Sequence, residues 1–395
     1  MATYTVLRDL GSPVTSGPFD PPGAARALRG VTPLPVVSQP RLDREELGKR
    51  DVLALSRDPQ VLAVAPVMPT RLVRPVDEAP AESGSTWGID AVGASRSART
   101  GQGVVVSVLD TGIDASHPAF AGVELVQQDF SGSGNGDVQG HGTHCAGTVF
   151  GRDVDGTRIG VATGVERALV AKVLGDDGSG DSDMLFRGIQ WAVDGGARVL
   201  SMSLGFDFPG LVDRLVQQGW PADLATSVAL EAYRANLRMF DALMGVVQAG
   251  EAFGRGAIVV AAAGNESRRE VDPDYEIAVS LPAAAEGVVS VGALGEGGGG
   301  LVVAPFSNTF PQVSGPGVAV VSARAGGGLV SLSGTSMATP HVAGVTALWW
   351  EDVLDSPVPA STAAVLARLL ASASTAALDP GADVADRGMG LVQAP

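Results

Sequence analysis

A single cysteine, Cys145, stands in the 395 residues, so no internal disulfide can form. Histidine is nearly as scarce, and His117, His141, His144 and His341 offer no set of ligands at zinc spacing. No apolar run reaches the ~18 residues that a membrane span requires. Basic residues are outnumbered, 27 Lys and Arg against 43 Asp and Glu, and the net charge of −16 speaks against a surface for polyanions such as nucleic acid. The amino terminus, Met1 to Asp9, lacks a basic stretch followed by an apolar one. With the missing disulfides this predicts a cytoplasmic protein, the alternative being a secreted one whose leader is absent from this chain.

The chain does hold abundant glycine and apolar residues, 53 Gly and 45% hydrophobic, which fit tight turns around a buried sheet. Its length accommodates one domain of about 300 residues and a smaller unit. Apolar runs at residues 104–109, 168–173, 199–203, 257–262, 288–291 and 318–321 read as buried strands. Helical patterns near residues 141–149, 183–194, 223–252, 335–351 and 361–375 alternate with them. Such alternation predicts a doubly wound, mainly parallel α/β sheet with helices on both faces.

Three segments carry chemistry. In Gly334-Thr335-Ser336-Met337-Ala338-Thr339-Pro340-His341 a serine sits among small residues at a helix start that Thr335 can cap. Free N–H groups and the helix dipole there suit an attacking oxygen, although a plain capped helix start would look the same. The run Val104 to Leu109 ends in Asp110-Thr111-Gly112, placing a carboxylate at the carboxyl end of a strand, where catalytic groups of open sheets gather. Gly140-His141-Gly142-Thr143-His144 supplies an imidazole flanked by glycines. Asp, His and Ser give an orienter, a general base and a nucleophile. Asp114 competes with Asp110 as the acid. Cys145 invites a nucleophile reading beside one of a small thiol packed behind His141, and His144 and His341 read as packing residues.

These residues resemble those of the subtilases, the subtilisin-like serine peptidases. The matching motifs are Asp110-Thr111-Gly112, His141-Gly142-Thr143-His144, Ala262-Ala263-Gly264-Asn265 and Gly334 to Pro340, in the family's order, within a resemblance spanning residues 87–395. The resemblance implies a serine endopeptidase with Asp110, His141 and Ser336 as the triad and Asn265 as oxyanion donor, with the Ser336 N–H as its partner. It also implies a peptide groove walled by Gly178-Ser179-Gly180 and by Ser203-Leu204-Gly205. The first pocket would be bordered by Ala262-Ala263-Gly264 and by Ser280-Leu281-Pro282, none of them acidic, so an apolar or broad preference is expected there, with Glu266 near the rim. The partners expected are protein or peptide substrates. An esterase of the α/β-hydrolase type would need a histidine far beyond Ser336, and only His341 follows. A catalytically silent binding module is the other alternative, opposed by the presence of every triad residue.

Residues 1–80 form a separate unit in this reading, ahead of a catalytic domain at 81–395. A possible strand at Tyr4 to Leu7, a charged helical pattern from Asp43 to Leu55, an Asp58-Pro59 break and a strand from Val61 to Val67 resemble the end of a subtilase propeptide. Such a segment aids folding and inhibits in cis, the polypeptide from Met68 to about Ala79 lying in the groove; an ordinary N-terminal extension is the alternative. Residues 76–86 have linker composition and would hold any processing site. Two departures from the family stand out. Residues 206–255 are an insertion beside the groove, either a specificity element or a lengthened surface helix. His117-Pro118-Ala119-Phe120 has alanine where calcium-binding relatives carry aspartate, and the Asp153 and Asp155 loop falls short of the six to eight oxygens calcium takes. The chemistry requires no cofactor, no catalytic metal is expected, and structural calcium is not expected at the family's strong site.

Overall fold

The computed structural model describes residues 1–10, 40–80 and 86–395. At the amino end β1 (Ala2–Asp9), β2 (Pro40–Leu47) and β3 (Val61–Pro66) form an antiparallel sheet in the order β2-β1-β3, with helix α1 (Lys49–Leu55) between β2 and β3 in sequence. The expected strands at 4–7 and 61–67 are β1 and β3. The expected helix is shorter than its pattern, because residues 43–47 belong to β2. Their charged side chains favour helix in isolation. Across the ladder, however, Arg8 pairs with Asp43 at 2.6 Å and Glu45 at 2.7 Å, and Leu42 and Leu47 are buried. Cross-strand pairing and burial outweigh propensity there.

Two short strands follow, β4 (Pro69–Leu72) and β5 (Asp77–Pro80), then helix α2 (Trp87–Ala91). Residues 76–80, expected as linker, are therefore largely strand; proline excludes helix but is tolerated in an edge strand, and β5 is one. The remainder of that expected linker, 81–85, and the Pro- and Gly-rich residues 11–39 lie outside the described residues.

From there strands and helices alternate: β6 (Val106–Asp110), β7 (Glu124–Asp129), α3 (His141–Phe150), β8 (Arg167–Lys172), β9 (Ser179–Asp181), α4 (Ser182–Asp194), β10 (Val199–Met202), β11 (Leu204–Phe206), α5 (Phe208–Gln217), α6 (Ala222–Ala249), β12 (Ile258–Ala262), β13 (Val288–Gly297), β14 (Gly300–Val303), β15 (Val313–Pro316), β16 (Val320–Ala323), β17 (Leu329–Ser333), α7 (Thr335–Leu354) and α8 (Thr362–Ser372). The main sheet runs β14-β13-β12-β10-β6-β8-β7 with β15 on β13, and it is parallel except for the β13–β14 hairpin. Both of its faces are covered. Side chains alternate along a strand, so Val106 and Val108 pack with α3, α7 and α8 while Leu109 packs with α4 and α6. This double burial explains the continuous apolar run in the sequence. The expected α/β class is the one observed.

One expected strand is placed elsewhere. Residues 318–321 overlap β16, which pairs antiparallel with β17 in a small separate sheet whose other edge is β5. The 206–255 insertion is α5 and α6, and it faces the N-terminal sheet. Asn236 of α6 is buried and donates from Nδ2 to the Pro66 carbonyl at 2.9 Å. Thr5 of β1 donates to Asp183 of α4 at 3.0 Å, and Leu7, Ala65 and Met68 join the core beneath α4 and α6. Among the described residues no helix is long and apolar enough to cross a membrane.

Candidate active site

Asp110 is the last residue of β6, His141 the first of α3 and Ser336 the second of α7. Gly140 turns the chain into α3 at φ 92°, a conformation that favours glycine. Gly142 allows a close approach, since a Cβ there would lie 2.2 Å from the Gly112 carbonyl oxygen. The His141 ring thus reaches Asp110, and Nδ1–H donates to Oδ1 at 2.8 Å with both side chains buried. Burial disfavours charge on the imidazole. The adjacent Asp110 carboxylate is the main opposing influence, and His141 is held well above its ordinary range. Asp114 does not compete, because its carboxylate accepts from Ser116 and from the Gly326 N–H.

Asp137 escaped the sequence reading. One of its oxygens accepts from the Thr111 hydroxyl and the Gly140 N–H, both at 2.8 Å, and the other from the Thr143 N–H at 2.8 Å and hydroxyl at 2.6 Å. It clamps the Asp110 turn to the start of α3. No local motif marks it, since its partners come from two separate segments.

Pro340 shapes the serine end. Lacking an N–H, it leaves the Ser336 carbonyl without its usual helical donor four residues on. Two side chains replace that donor: the Ser203 hydroxyl at 3.1 Å and the Cys145 thiol at 3.4 Å. The helix cap is Gly334 rather than Thr335. Thr335 is the first helical residue, and its hydroxyl accepts from the Gly264 N–H at 3.2 Å and donates to Asn265 Oδ1 at 2.9 Å. Its N–H also reaches Asn265 Oδ1 at 2.9 Å, which leaves the Asn265 amide NH2 pointing into the groove.

The groove is occupied by the chain itself. Strand β4 lies between β9 and β11, antiparallel to both, with Thr70 opposite Gly180, Arg71 opposite Ser179 and Gly205, and Leu72 opposite Leu204. The Leu72 N–H donates to the Gly178 carbonyl at 2.9 Å. The residues expected as groove walls therefore flank an extended peptide. Val73 follows, buried, and a Cβ on Gly205 would lie 3.5 Å from its Cγ2, 3.7 Å from Ser280 Oγ and 3.8 Å from the Leu281 carbonyl oxygen. Ala262, Ala263 and Gly264 continue from the end of β12, the Ala263 carbonyl accepting from the Ser280 N–H at 3.3 Å. Ser336 Oγ donates to the Val73 carbonyl at 2.9 Å, and Asn265 Nδ2 donates to the next one, Arg74, at 3.0 Å. Beyond the site Val76 N–H donates to Ser333 at 2.8 Å and β5 pairs with β17, so the thread crosses the whole groove.

The remaining candidates pack. Burial lowers His144 to about 3 and His341 to about 4, and each ring is bonded to a backbone carbonyl, of Val320 and of Met337. Burial likewise raises the Cys145 thiol. Among the described residues the one group with metal-ligand spacing is Asp110, His141 and Cys145. A thiol kept protonated makes a poor ligand, and the other two residues bind each other.

Asp110-bound His141 and the helix-start Ser336 are bridged by Cys145, whose Sγ lies 3.7 Å from His141 Nδ1 and 3.4 Å from the Ser336 carbonyl oxygen. This arrangement at the carboxyl ends of a parallel sheet is consistent with a serine peptidase triad. The Subtilase family matches residues 101–390, and the chain belongs to that family of serine endopeptidases. It is 33% identical over 311 residues to a thermostable alkaline protease of Halalkalibacterium halodurans, covering 77% of this chain and 70% of that one. It is 30% identical to subtilisin-like protease 1 of Arthroderma gypseum, covering 74% of this chain and 54% of the relative. Subtilisin-like serine protease Pen c 1 of Penicillium citrinum is 32% identical, with 74% and 65% covered.

Proposed function

We propose that Ser336 Oγ attacks a peptide carbonyl while His141 Nε2 takes its proton and Asp110 holds the Nδ1–H tautomer. The Asn265 amide and the Ser336 N–H, free of an intrahelical partner so near the helix start, stabilise the tetrahedral oxyanion. His141 then passes the proton to the leaving amine, and water hydrolyses the acyl-enzyme by the reverse sequence. Protein substrates enter as an extended strand between β9 and β11, so recognition is largely of main chain. The residue on the amino side of the cleaved bond is apolar or broadly chosen, as the seat of Val73 beside Gly205 suggests. No cofactor takes part.

Residues 1–80 in this reading are a cis inhibitor and folding aid, and residues 81–395 are the catalytic domain. The observation that carries both statements is the β4 thread, whose Val73 carbonyl accepts from Ser336 Oγ at 2.9 Å in the position a substrate would take. Fluorophosphonate labelling of Ser336 and hydrolysis of an unstructured protein test the chemistry; Ser336→Ala should abolish both with the fold intact, and retained hydrolysis would remove the assignment. An engineered cleavage site after residue 80 tests inhibition. Removing the segment after folding should raise activity on a small peptide, and adding it back should lower it.

A further inference from the structure

Arg71 of the thread lies against two carboxylates. Its Nη1 is 3.1 Å from Asp207 Oδ1 and its Nη2 is 3.6 Å from Glu266 Oε1. Both acids are held by the fold independently of Arg71. Asp207 follows β11 and accepts from the Gly210 N–H at 3.1 Å, starting α5. Glu266 follows Asn265, and its other oxygen accepts from Asn308 Nδ2 at 2.8 Å. Asn308 is itself buried and receives the N–H groups of Glu266 and Ser267 on its Oδ1. The two carboxylates are thus preset on either side of the position that Arg71 takes opposite Gly205. Asp177 lines the same cleft, as do the cations Arg74 of the thread and Arg268.

We infer that Asp207 and Glu266 form a subsite for a basic side chain at the third residue on the amino side of the cleaved bond, in substrates as in the thread. The inference rests on the endopeptidase reading and narrows its substrates to extended segments with Arg in that position and an apolar residue two places later. A planar guanidinium can face both carboxylates at once, so Arg should be preferred to Lys. Arg71 and its partners are partly exposed, which keeps the expected gain modest.

Fluorogenic amides of Thr-X-Leu-Val, copying Thr70 to Val73, test this with the full chain. The ratio of kcat/KM between two such peptides cancels the fraction of molecules whose groove is open. Arg at X should exceed Ala by about three- to tenfold, as two partly exposed ion pairs would give, with Glu below Ala. Asp207→Asn with Glu266→Gln keeps the hydrogen bonds to Gly210 and Asn308, yet should bring the Arg to Ala ratio near one. Raised salt should shrink the wild-type ratio as well. In the same full chain Arg71→Ala should speed fluorophosphonate labelling of Ser336 severalfold by loosening the thread. An Arg to Ala ratio near one in the wild type, or a ratio indifferent to the double substitution, would overturn the subsite. Absence of hydrolysis and labelling from every form would sink the endopeptidase reading, and the subsite with it.

Discussion

Ser336 gives its hydroxyl hydrogen bond to the Val73 carbonyl at 2.9 Å, and His141 Nε2, buried, has no hydrogen-bond partner. The nucleophile and its proposed base are thus not hydrogen-bonded to each other while the thread is in place. Asn265 meanwhile serves the Arg74 carbonyl, one residue beyond the one at Ser336. The proposed nucleophile and the proposed oxyanion donor thus bond two successive carbonyls of the thread, not the same one.

Once the groove is free, the pH profile should follow His141. Its pKa in the fold lies above the ordinary value of 6.5, and only the neutral ring can accept the serine proton. Activity on a small peptide should therefore rise with pH through a midpoint above 6.5. The stability that the imidazolium–carboxylate pair contributes has the opposite sign: it is complete below the unfolded value and is lost as pH rises through the folded one. A kcat/KM profile with its acidic limb at or below 6.5 would contradict this. Asp110→Asn should move that limb down and cut kcat by about 10⁴.

The proposed first pocket seats Val73 against residue 205, which has no side chain. Gly205→Val would place a Cβ in contact with whatever fills the seat of Val73 and its further methyls inside that seat. Hydrolysis after Leu or Phe should fall by at least about tenfold relative to hydrolysis after Ala, since the lost fit of each methylene is worth ~1–3 kcal/mol. Peptide profiling of the variant checks it; an unchanged profile would place the pocket elsewhere.

The N-terminal unit is held partly by Asn236, which bonds the Pro66 carbonyl from α6. Asn236→Ala leaves that carbonyl without its side-chain donor and should cost about 1–3 kcal/mol. Because the lost contact is to the thread's own anchor, activity on a small peptide should rise as the melting temperature falls. A parallel loss of both would show general damage to α6 instead.

What was legible in the sequence follows from range. Asp110, His141, Asn265 and Ser336 stand in short local motifs, and the strands behind them are apolar runs buried on both faces, so they could be read directly. Residues 43–47 could not, because only their pairing with β1 turns a helical pattern into a strand. Asp137 and Asp207 were missed for a related reason: neither stands in a motif itself, and their roles rest on partners distant in sequence, Thr111 for Asp137 and Arg71 for Asp207. The passage of residues 69–72 through the groove was anticipated from the resemblance of the N-terminal segment to a subtilase propeptide, whereas the contact of Val73 with Ser336 depends on the register of three strands.

Cys145 separates the two readings of the only thiol. It is buried, its pKa is raised by that burial, and its Sγ bonds the Ser336 carbonyl that Pro340 leaves without a donor. A nucleophile would need a thiolate and access, and this residue has neither. Cys145→Ala should therefore keep peptide hydrolysis within a fewfold of the parent, at a stability cost of about 1–2 kcal/mol for the lost bond and packing. Cys145→Ser, which restores a donor to the Ser336 carbonyl, should bring kcat closer to the parent than Cys145→Ala does. In the folded protein iodoacetamide should leave the thiol unmodified and the activity intact. Loss of activity on alkylation, or in Cys145→Ala with the fold preserved, would return the thiol to the chemistry.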